Sequence, residues 1–278
     1  MNVVLSTLNS KFIHSSLALR YLKAYGQAHG QAYDIVEYTI NMPVLHILGD
    51  ITERNIDVLG FACYIWNIEM TLHIVDMVKA VRPDIKIILG GPEVSFTADE
   101  ILNRCAAVDY VVQGEGEEAF YQLISALIDG KDGLEERIPG VRGRHISGRL
   151  LGSTDTVEVK DLSTIPFPYV EEDMIDLEHK IIYYESSRGC PFSCQYCLSG
   201  NKNTVRFFPQ ERTFKELQWF IDHKVKQVKF VDRTFNCAPH HHRPMMEFMR
   251  DADTETNFHL EMEPELMTEW ETNILCET

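Results

Sequence analysis

Within the first 130 residues, five short apolar runs alternate with five amphipathic segments, and this rhythm constrains the fold more than any other feature of the chain. The runs cover 2–8, 34–38, 56–62, 85–89 and 110–112. Their length and their content of Val, Ile and Leu predict buried strands. Ser16 is placed to cap a helix in which Ala18, Tyr21, Leu22 and Tyr25 recur at helical spacing. A polar helix is expected over 46–55. Ile68, Leu72, Val75 and Val78 form the stripe of the next, which Pro83 ends. A short helix over 97–104 and a longer one carrying Phe120, Leu123, Ile124 and Leu127 complete the series. Strands alternating with helices in this way pack as a doubly wound parallel sheet.

The expected strand order is the flavodoxin-like 2-1-3-4-5. In such sheets ligands sit over the carboxyl ends of the strands. Those ends carry the loop 9–15 with His14 and Ser15, the segment Cys63–Asn67, the turn Gly90-Gly91, and the turn Gly114-Glu115-Gly116-Glu117. These loops read as small or polar, so a broad, flat binding surface is expected there. Glycines at such an edge let a bulky ligand approach the backbone. A purely structural domain shows the same turns, and that alternative stays open.

Residues 131–180 break the rhythm with glycines at 133, 140, 143, 148 and 152, and read as a linker. Gly140–Arg144 and Thr156–Val159 are expected to pair as a small hairpin. Ile165-Pro166-Phe167-Pro168 reads as an extended strap.

After a strand at 181–185, Cys190, Cys194 and Cys197 stand at C-x3-C-x2-C spacing, with Arg188-Gly189 leading in. Three thiolates converging without a fourth suit an iron–sulfur cluster with one open iron better than a closed zinc site. A zinc knuckle or three separate buried thiols is the bland alternative. Tyr196 supplies an aromatic face beside them. Lys202–Gln210 reads as a connector, and Thr213 as the cap of a helix bearing Phe214, Leu217 and Ile221. A strand at 227–231 ends on Asp232-Arg233, and Phe258, Leu260 and Met262 alternate along a further strand closed by Glu263. Three βα units of a barrel result, and barrel chemistry gathers where strands end. Asp232, Arg233 and Glu263 stand at those ends. His240-His241-His242 is expected to be a solvated turn, and Cys237 a packed thiol.

The formal net charge of −16 argues against a broad nucleic-acid surface. Seven cysteines in 278 residues are no disulfide framework, and free thiols point to a reducing, cytoplasmic setting. The amino terminus carries no basic stretch followed by a long apolar segment, so no signal peptide is expected. No run approaches the ~18 apolar residues of a membrane span.

The stretch Ser186–Gly200 resembles the cluster loop of the radical S-adenosylmethionine (SAM) enzymes. The first half resembles the cobalamin-binding domain that begins one large group of them, on Gly90-Gly91-Pro92-Glu93 and Gly114-Glu115-Gly116-Glu117. The Ile-Pro-Phe-Pro phrase is familiar between the two domains of that group. The resemblance implies that Cys190, Cys194 and Cys197 hold a 4Fe–4S cluster whose fourth iron SAM chelates, with Tyr196 against the adenine. It implies Asp232, and more weakly Arg233 and Glu263, near the SAM amino group. Related cobalamin proteins ligate cobalt through a D-x-H-x-x-G motif. Matching it on His14 would need Asp at 12 and Gly at 17, where this chain has Phe12 and Leu17. No histidine–cobalt bond is therefore expected.

The implied reaction is reductive cleavage of SAM with cobalamin-assisted radical chemistry, in most relatives methyl transfer to an unactivated carbon of a small-molecule or peptide substrate. A flavodoxin or ferredoxin would supply the electron. The family barrel has six βα units and this chain supplies three. The expectation is therefore a truncated enzyme, or an open sheet edge covered by a partner or second copy. Two other readings stand beside it. One is a non-catalytic, cluster-bearing module. The other is a methylthiotransferase-like enzyme acting on RNA, disfavoured by the charge and by the lack of a second cysteine triad.

Overall fold

The computed structural model describes residues 1–198 and 204–277. Ser199, Gly200 and Lys202, which the sequence reading assigned to the cysteine motif and its connector, lie outside the described residues. The chain forms two compact units. The first is 1–159 with 165–170, and the second is 160–164 with 171–278.

In the first unit the elements run β1 (Val3–Asn9), α1 (Leu17–Ala28), β2 (Tyr33–Thr39), α2 (Val44–Glu53), β3 (Val58–Ala62), α3 (Ile68–Val81), β4 (Lys86–Gly90), α4 (Ala98–Arg104), β5 (Tyr110–Val112), α5 (Gly116–Ile128), β6 (Val141–Arg144) and β7 (Leu150–Gly152). They build a seven-stranded sheet of order β2-β1-β3-β4-β5-β6-β7. The first five strands pair in parallel, in the expected order. β6 and β7 extend the sheet antiparallel.

Every residue of β1 and β3 is buried, as central parallel strands covered on both faces require. One apolar layer, with Ile47, Ile51, Ile74, Val75 and Val78, lies under α2 and α3; the other, with Leu19, Phe120, Leu123 and Ile124, lies under α1 and α5. Ser16 caps α1 by accepting the Leu19 amide. The buried face of that helix carries Leu19, Arg20, Tyr21 and Tyr25, while Ala18 is exposed. Arg20 is buried because it pairs with Glu37 of β2 at 3.4 Å.

The expected linker and hairpin are corrected. Val141–Arg144 pairs with β5 on one side and β7 on the other, so it belongs to the sheet. Val157 instead bridges Gly114 in parallel. Two amide bonds fix it: Val157 donates to Gln113 O at 3.1 Å, and Glu115 donates to Val157 O at 2.9 Å. Residues 156–159 thus serve as a strap at the end of β5.

In the second unit the order is α6 (Met174–Leu177), β8 (Ile182–Tyr184), β9 (Ser187–Gly189), β10 (Val205–Phe207), α7 (Gln210–Asp222), β11 (Gln227–Phe230), α8 (Pro239–Asp251), β12 (Asn257–His259) and α9 (Glu269–Glu277). β8, β11 and β12 form a parallel sheet of order β12-β11-β8. Its core packs Tyr184, Phe220, Phe230 and Phe235 edge to face. Tyr184 is fully buried and donates to Glu216 at 2.7 Å.

α7 begins three residues before the expected cap. Thr213 lies inside it, its hydroxyl donating back to Pro209 O at 3.3 Å. Residues 205–207 are a strand rather than connector. They pair antiparallel with β9, Gly189 opposite Val205, and close the base of the cysteine loop.

Candidate functional site

Two sets of residues stand at the carboxyl ends of parallel strands, one in each unit.

In the first unit the set is built on the loops after β1, β3, β4 and β5. Glu37 organises the first of these. Its carboxylate accepts from Asn9 Nδ2 at 2.5 Å, from the Ser16 amide at 3.3 Å and from Arg20 at 3.4 Å. Within the loop the His14 amide donates to Lys11 O and its carbonyl accepts from Asn9 Nδ2 at 3.1 Å, while Ser15 is buried. Asn67, 1% exposed, organises the second loop. Its Oδ1 accepts the Tyr64 amide at 2.7 Å. Its Nδ2 donates to Leu8 O and Ala62 O, both at 3.1 Å, and lies 3.3 Å from Thr7 Oγ1. The Trp66 indole donates to Leu8 O at 3.1 Å and stacks on Tyr64 at 4.6 Å.

These fixed loops present apolar side chains outward: Phe12 is 69% exposed, Ile65 80%, Trp66 47% and Phe96 55%. Large apolar groups standing together in water mark a ligand or partner surface. The loops expected to be small and polar also carry these exposed apolar and aromatic groups. The signal was present in the sequence as Phe12-Ile13, Ile65-Trp66 and Phe96 in loop positions.

The predicted glycines stand at this edge, and two of them are demanded by the chain's own packing. Gly91 has φ +103, and a Cβ there would meet Cys63 O at 2.6 Å. Gly114 has φ +86, and a Cβ would meet Val157 O at 2.2 Å. Both are therefore required by close approach of the chain's own backbone. Gly90 ends β4 and accepts the Cys63 amide at 2.7 Å. Gly116 opens α5 against Leu22. Glu115 takes the Val159 amide at 2.7 Å and so clamps the strap.

In the second unit β9 and β10 deliver the cysteine loop. Gly189, φ +104, sits where a Cβ would collide with Thr204 O. Glycine before the first cysteine is thus dictated by the ladder. Cys190 is 8% exposed, its Sγ 3.6 Å from Thr234 Oγ1. Cys194 is exposed and Cys197 half-buried, joined by a turn in which the Cys197 amide donates to Cys194 O at 3.0 Å. All three are free thiols. The three thiols share one short loop, one anchored, one half-buried and one exposed, and among the described residues no three His, Cys, Asp or Glu side chains are gathered as for a metal ion. Tyr196 is 93% exposed beside them.

Asp232 is 1% exposed and faces inward, accepting from the Ser186 amide at 2.9 Å, Ser186 Oγ at 2.7 Å and Ser187 Oγ at 2.5 Å. Burial pushes its pKa up and these donors pull it back. The sequence reading placed this carboxylate toward SAM, whereas its hydrogen bonds all go to the stem of the cysteine loop. Arg233 is exposed. Glu263 is half-buried, its side chain taking the Glu265 amide and its backbone held by Asn236 at 2.8 and 2.9 Å. Burial pushes the Cys237 thiol up.

The expectation of a solvated histidine turn is corrected. His241 and His242 are 5% and 1% exposed in the first turn of α8, and only His240 is exposed. His241 donates to Ser186 Oγ at 3.1 Å and packs on Phe207 at 4.4 Å. Its burial and its histidine neighbours bring its pKa down to about 4. His242 donates to Ala238 O at 2.9 Å and meets Glu271 at 3.2 Å.

Residues 3–124 match the B12 binding domain. The chain is 33% identical over 195 residues to the 2-(S-pantetheinyl)-carbapenam-3-carboxylate methyltransferase of Streptantibioticus cattleyicolor, covering 66% of this chain and 28% of that protein. It is 31% identical over 220 residues to the cobalamin-dependent radical SAM methyltransferase TokK of Streptomyces tokunonensis, covering 75% of this chain and 32% of that protein. The chain thus spans about a third of the length of these relatives. Its fold matches the radical SAM methyltransferase TsrM from Kitasatospora setae, a structure with cobalamin and a 4Fe–4S cluster bound. The TM-score is 0.78 at 15% identity, covering 100% of this chain and 59% of that one. No described helix is long and apolar enough to cross a membrane.

Proposed function

This chain belongs to the radical SAM family that carries an N-terminal cobalamin-binding domain, and from that premise we propose that it takes part in cobalamin- and SAM-dependent methyl transfer. The observation that carries the reading is one chain holding both a B12 binding domain with an apolar edge and a C-x3-C-x2-C loop of free thiols at the end of a parallel strand.

The first unit would hold cobalamin on Phe12, Ile65, Trp66 and Phe96, a surface suited to a large planar ring. The chain lacks the acid and glycine that accompany a cobalt-binding histidine around His14, so no protein–cobalt bond is proposed. Gly90 and Gly116 leave the backbone approachable at the same edge. Cys190, Cys194 and Cys197 would hold a 4Fe–4S cluster, and Tyr196 would lie against SAM. Arg233, exposed three residues beyond β11, would lie near the SAM amino group. The cluster and cobalamin supply the one-electron and methyl-carrying chemistry, while the protein supplies placement and shielding. The acceptor is a small molecule or peptide carrying an unactivated carbon, and a flavodoxin- or ferredoxin-type protein supplies the electron.

The test is anaerobic. Protein reconstituted with iron, sulfide and cobalamin is given SAM and a reductant, and 5′-deoxyadenosine and S-adenosylhomocysteine are quantified against a Cys194→Ala variant. Product from the wild type alone supports the proposal. A bound cluster and cobalamin with no SAM-derived product favours a non-catalytic cofactor module.

A further inference from the structure

The stem of the cysteine loop is fastened by a buried carboxyl group. Asp232 lies just beyond β11 and is 1% exposed. It takes hydrogens from the Ser186 amide, the Ser186 hydroxyl and the Ser187 hydroxyl at 2.9, 2.7 and 2.5 Å. Ser186 Oγ has then given its single hydrogen away, so it can only accept from His241 Nε2 at 3.1 Å, which fixes that ring as the Nε2–H tautomer. The same ring packs on Phe207 of β10 at 4.4 Å. These contacts join the end of β11, both strands at the base of the loop and the first turn of α8. Two residues beyond Asp232, the Thr234 hydroxyl stands 3.6 Å from Cys190 Sγ. One short segment therefore holds both the loop stem and the first cysteine.

A carboxylate is a poor choice if the only task is adhesion. Removing it from water carries a large desolvation penalty, and its hydrogen-bond partners among the described residues are all neutral. A neutral acceptor would hold the serines with less penalty. What a carboxyl group adds, when ionised, is negative charge. Charge and hydrogen bonding around an iron–sulfur cluster set its potential, and negative charge disfavours the reduced, more negative state. Reducing the sulfonium of SAM calls for a strongly reducing cluster.

We propose that Asp232, with Ser186, Ser187 and His241, is a positioning clasp that presets Cys190 and lowers the cluster potential through its charge. The inference rests on reading Cys190, Cys194 and Cys197 as cluster ligands. None of the four residues touches the reacting atoms, so they are positioning residues.

The test has two readouts. In the metal-free protein, iodoacetamide alkylation of Cys190 and Cys194 is followed by peptide mass spectrometry. In the wild type, buried Cys190 reacts at least tenfold more slowly than exposed Cys194. Asp232→Asn turns an amide donor toward the serine hydroxyls and should raise the Cys190 rate at least tenfold, leaving the Cys194 rate within twofold. Ser187→Ala removes one donor, should give a smaller rise in the same direction, and serves if Asp232→Asn does not fold. Unchanged protection of Cys190 in a folded variant overturns the positioning role. In reconstituted protein, an EPR-monitored redox titration should place the Asp232→Asn cluster at a higher potential than the wild type. An unshifted potential overturns the charge role. A wild type that takes up no cluster defeats the ligand reading, and alkylation still decides the clasp.

Discussion

Replacing Asn67 with alanine probes how the apolar edge is held in place. The side chain is 1% exposed and satisfies the Tyr64 amide, Leu8 O and Ala62 O at 2.7, 3.1 and 3.1 Å. Leu8 O keeps the Trp66 indole and Ala62 O keeps the Thr7 hydroxyl, so the carbonyls retain partners while the Tyr64 amide loses the Asn67 acceptor. Three buried hydrogen bonds at about 1 kcal/mol each give a loss of roughly 3 kcal/mol. With a urea slope of about 2 kcal/mol per molar, the unfolding midpoint of the first unit should fall by roughly 1.5 M. Asn67→Asp keeps the acceptor for Tyr64 but aims a carboxylate at two carbonyl oxygens, so it should lower the midpoint at least as far. The assay is urea unfolding followed by circular dichroism, with cobalamin binding measured by absorbance in parallel. Midpoints within ~0.3 M of the wild type for both variants would refute the reasoning.

Trp66→Ala removes one hydrogen bond to Leu8 O and should lower the unfolding midpoint by only ~0.5 M while weakening cobalamin binding about tenfold, the equivalent of ~1.4 kcal/mol; a titration that overlays the wild type contradicts the apolar edge as the cobalamin surface. Gly114→Ala forces an L-residue to φ +86 with its Cβ at Val157 O. It should cost roughly 2–4 kcal/mol and release the strap, seen as faster amide exchange at Val157 and Val159. The depressed pKa of His241 gives a signed pH effect. The unfolded ring binds protons below pH ~6.5 and the folded ring only near 4, so stability is full above that window and falls as pH drops through it. Asp232 and Glu216, with raised pKa values, act in the opposite sense, so the readout is the difference in pH slope between the wild type and His241→Gln. Identical slopes between pH 6.5 and 4 would contradict the assignment of a buried neutral ring.

The parallel core of the first unit was legible because strands covered on both faces need contiguous apolar runs, and 2–8, 56–62 and 85–89 supply them. The extended segment at β6 was read, but its partners were not, because Val141–Arg144 is recruited by β5 and β7 and not by 156–159. β10 was missed for a related reason: Val205-Arg206-Phe207 becomes a strand only because the cysteine loop returns to pair with Ser187–Gly189. Spacing alone marked Cys190, Cys194 and Cys197 as a set. It did not show that the stem would turn Asp232 inward, since the two serines that capture it are 45 and 46 residues away in sequence. The burial of His241 was hidden similarly, because polar residues at a helix start ordinarily face water and this one is drawn in by Ser186 and Phe207. Reading the loops for small and polar groups gave little weight to the exposed apolar side chains Phe12, Ile65, Trp66 and Phe96 at the same edge.

The central claim is that Cys190, Cys194 and Cys197 together hold an iron–sulfur cluster in the same chain that binds cobalamin. The most direct measurement is anaerobic reconstitution of the wild type and a Cys190→Ala, Cys194→Ala, Cys197→Ala triple variant, with iron, sulfide and cobalamin counted per chain and the cluster type read by Mössbauer spectroscopy. The account predicts about four iron and four sulfide with a 4Fe–4S spectrum in the wild type, none in the variant, and cobalamin retained by both. Equal iron in the two proteins, or a wild type that binds zinc and excludes iron, would contradict it.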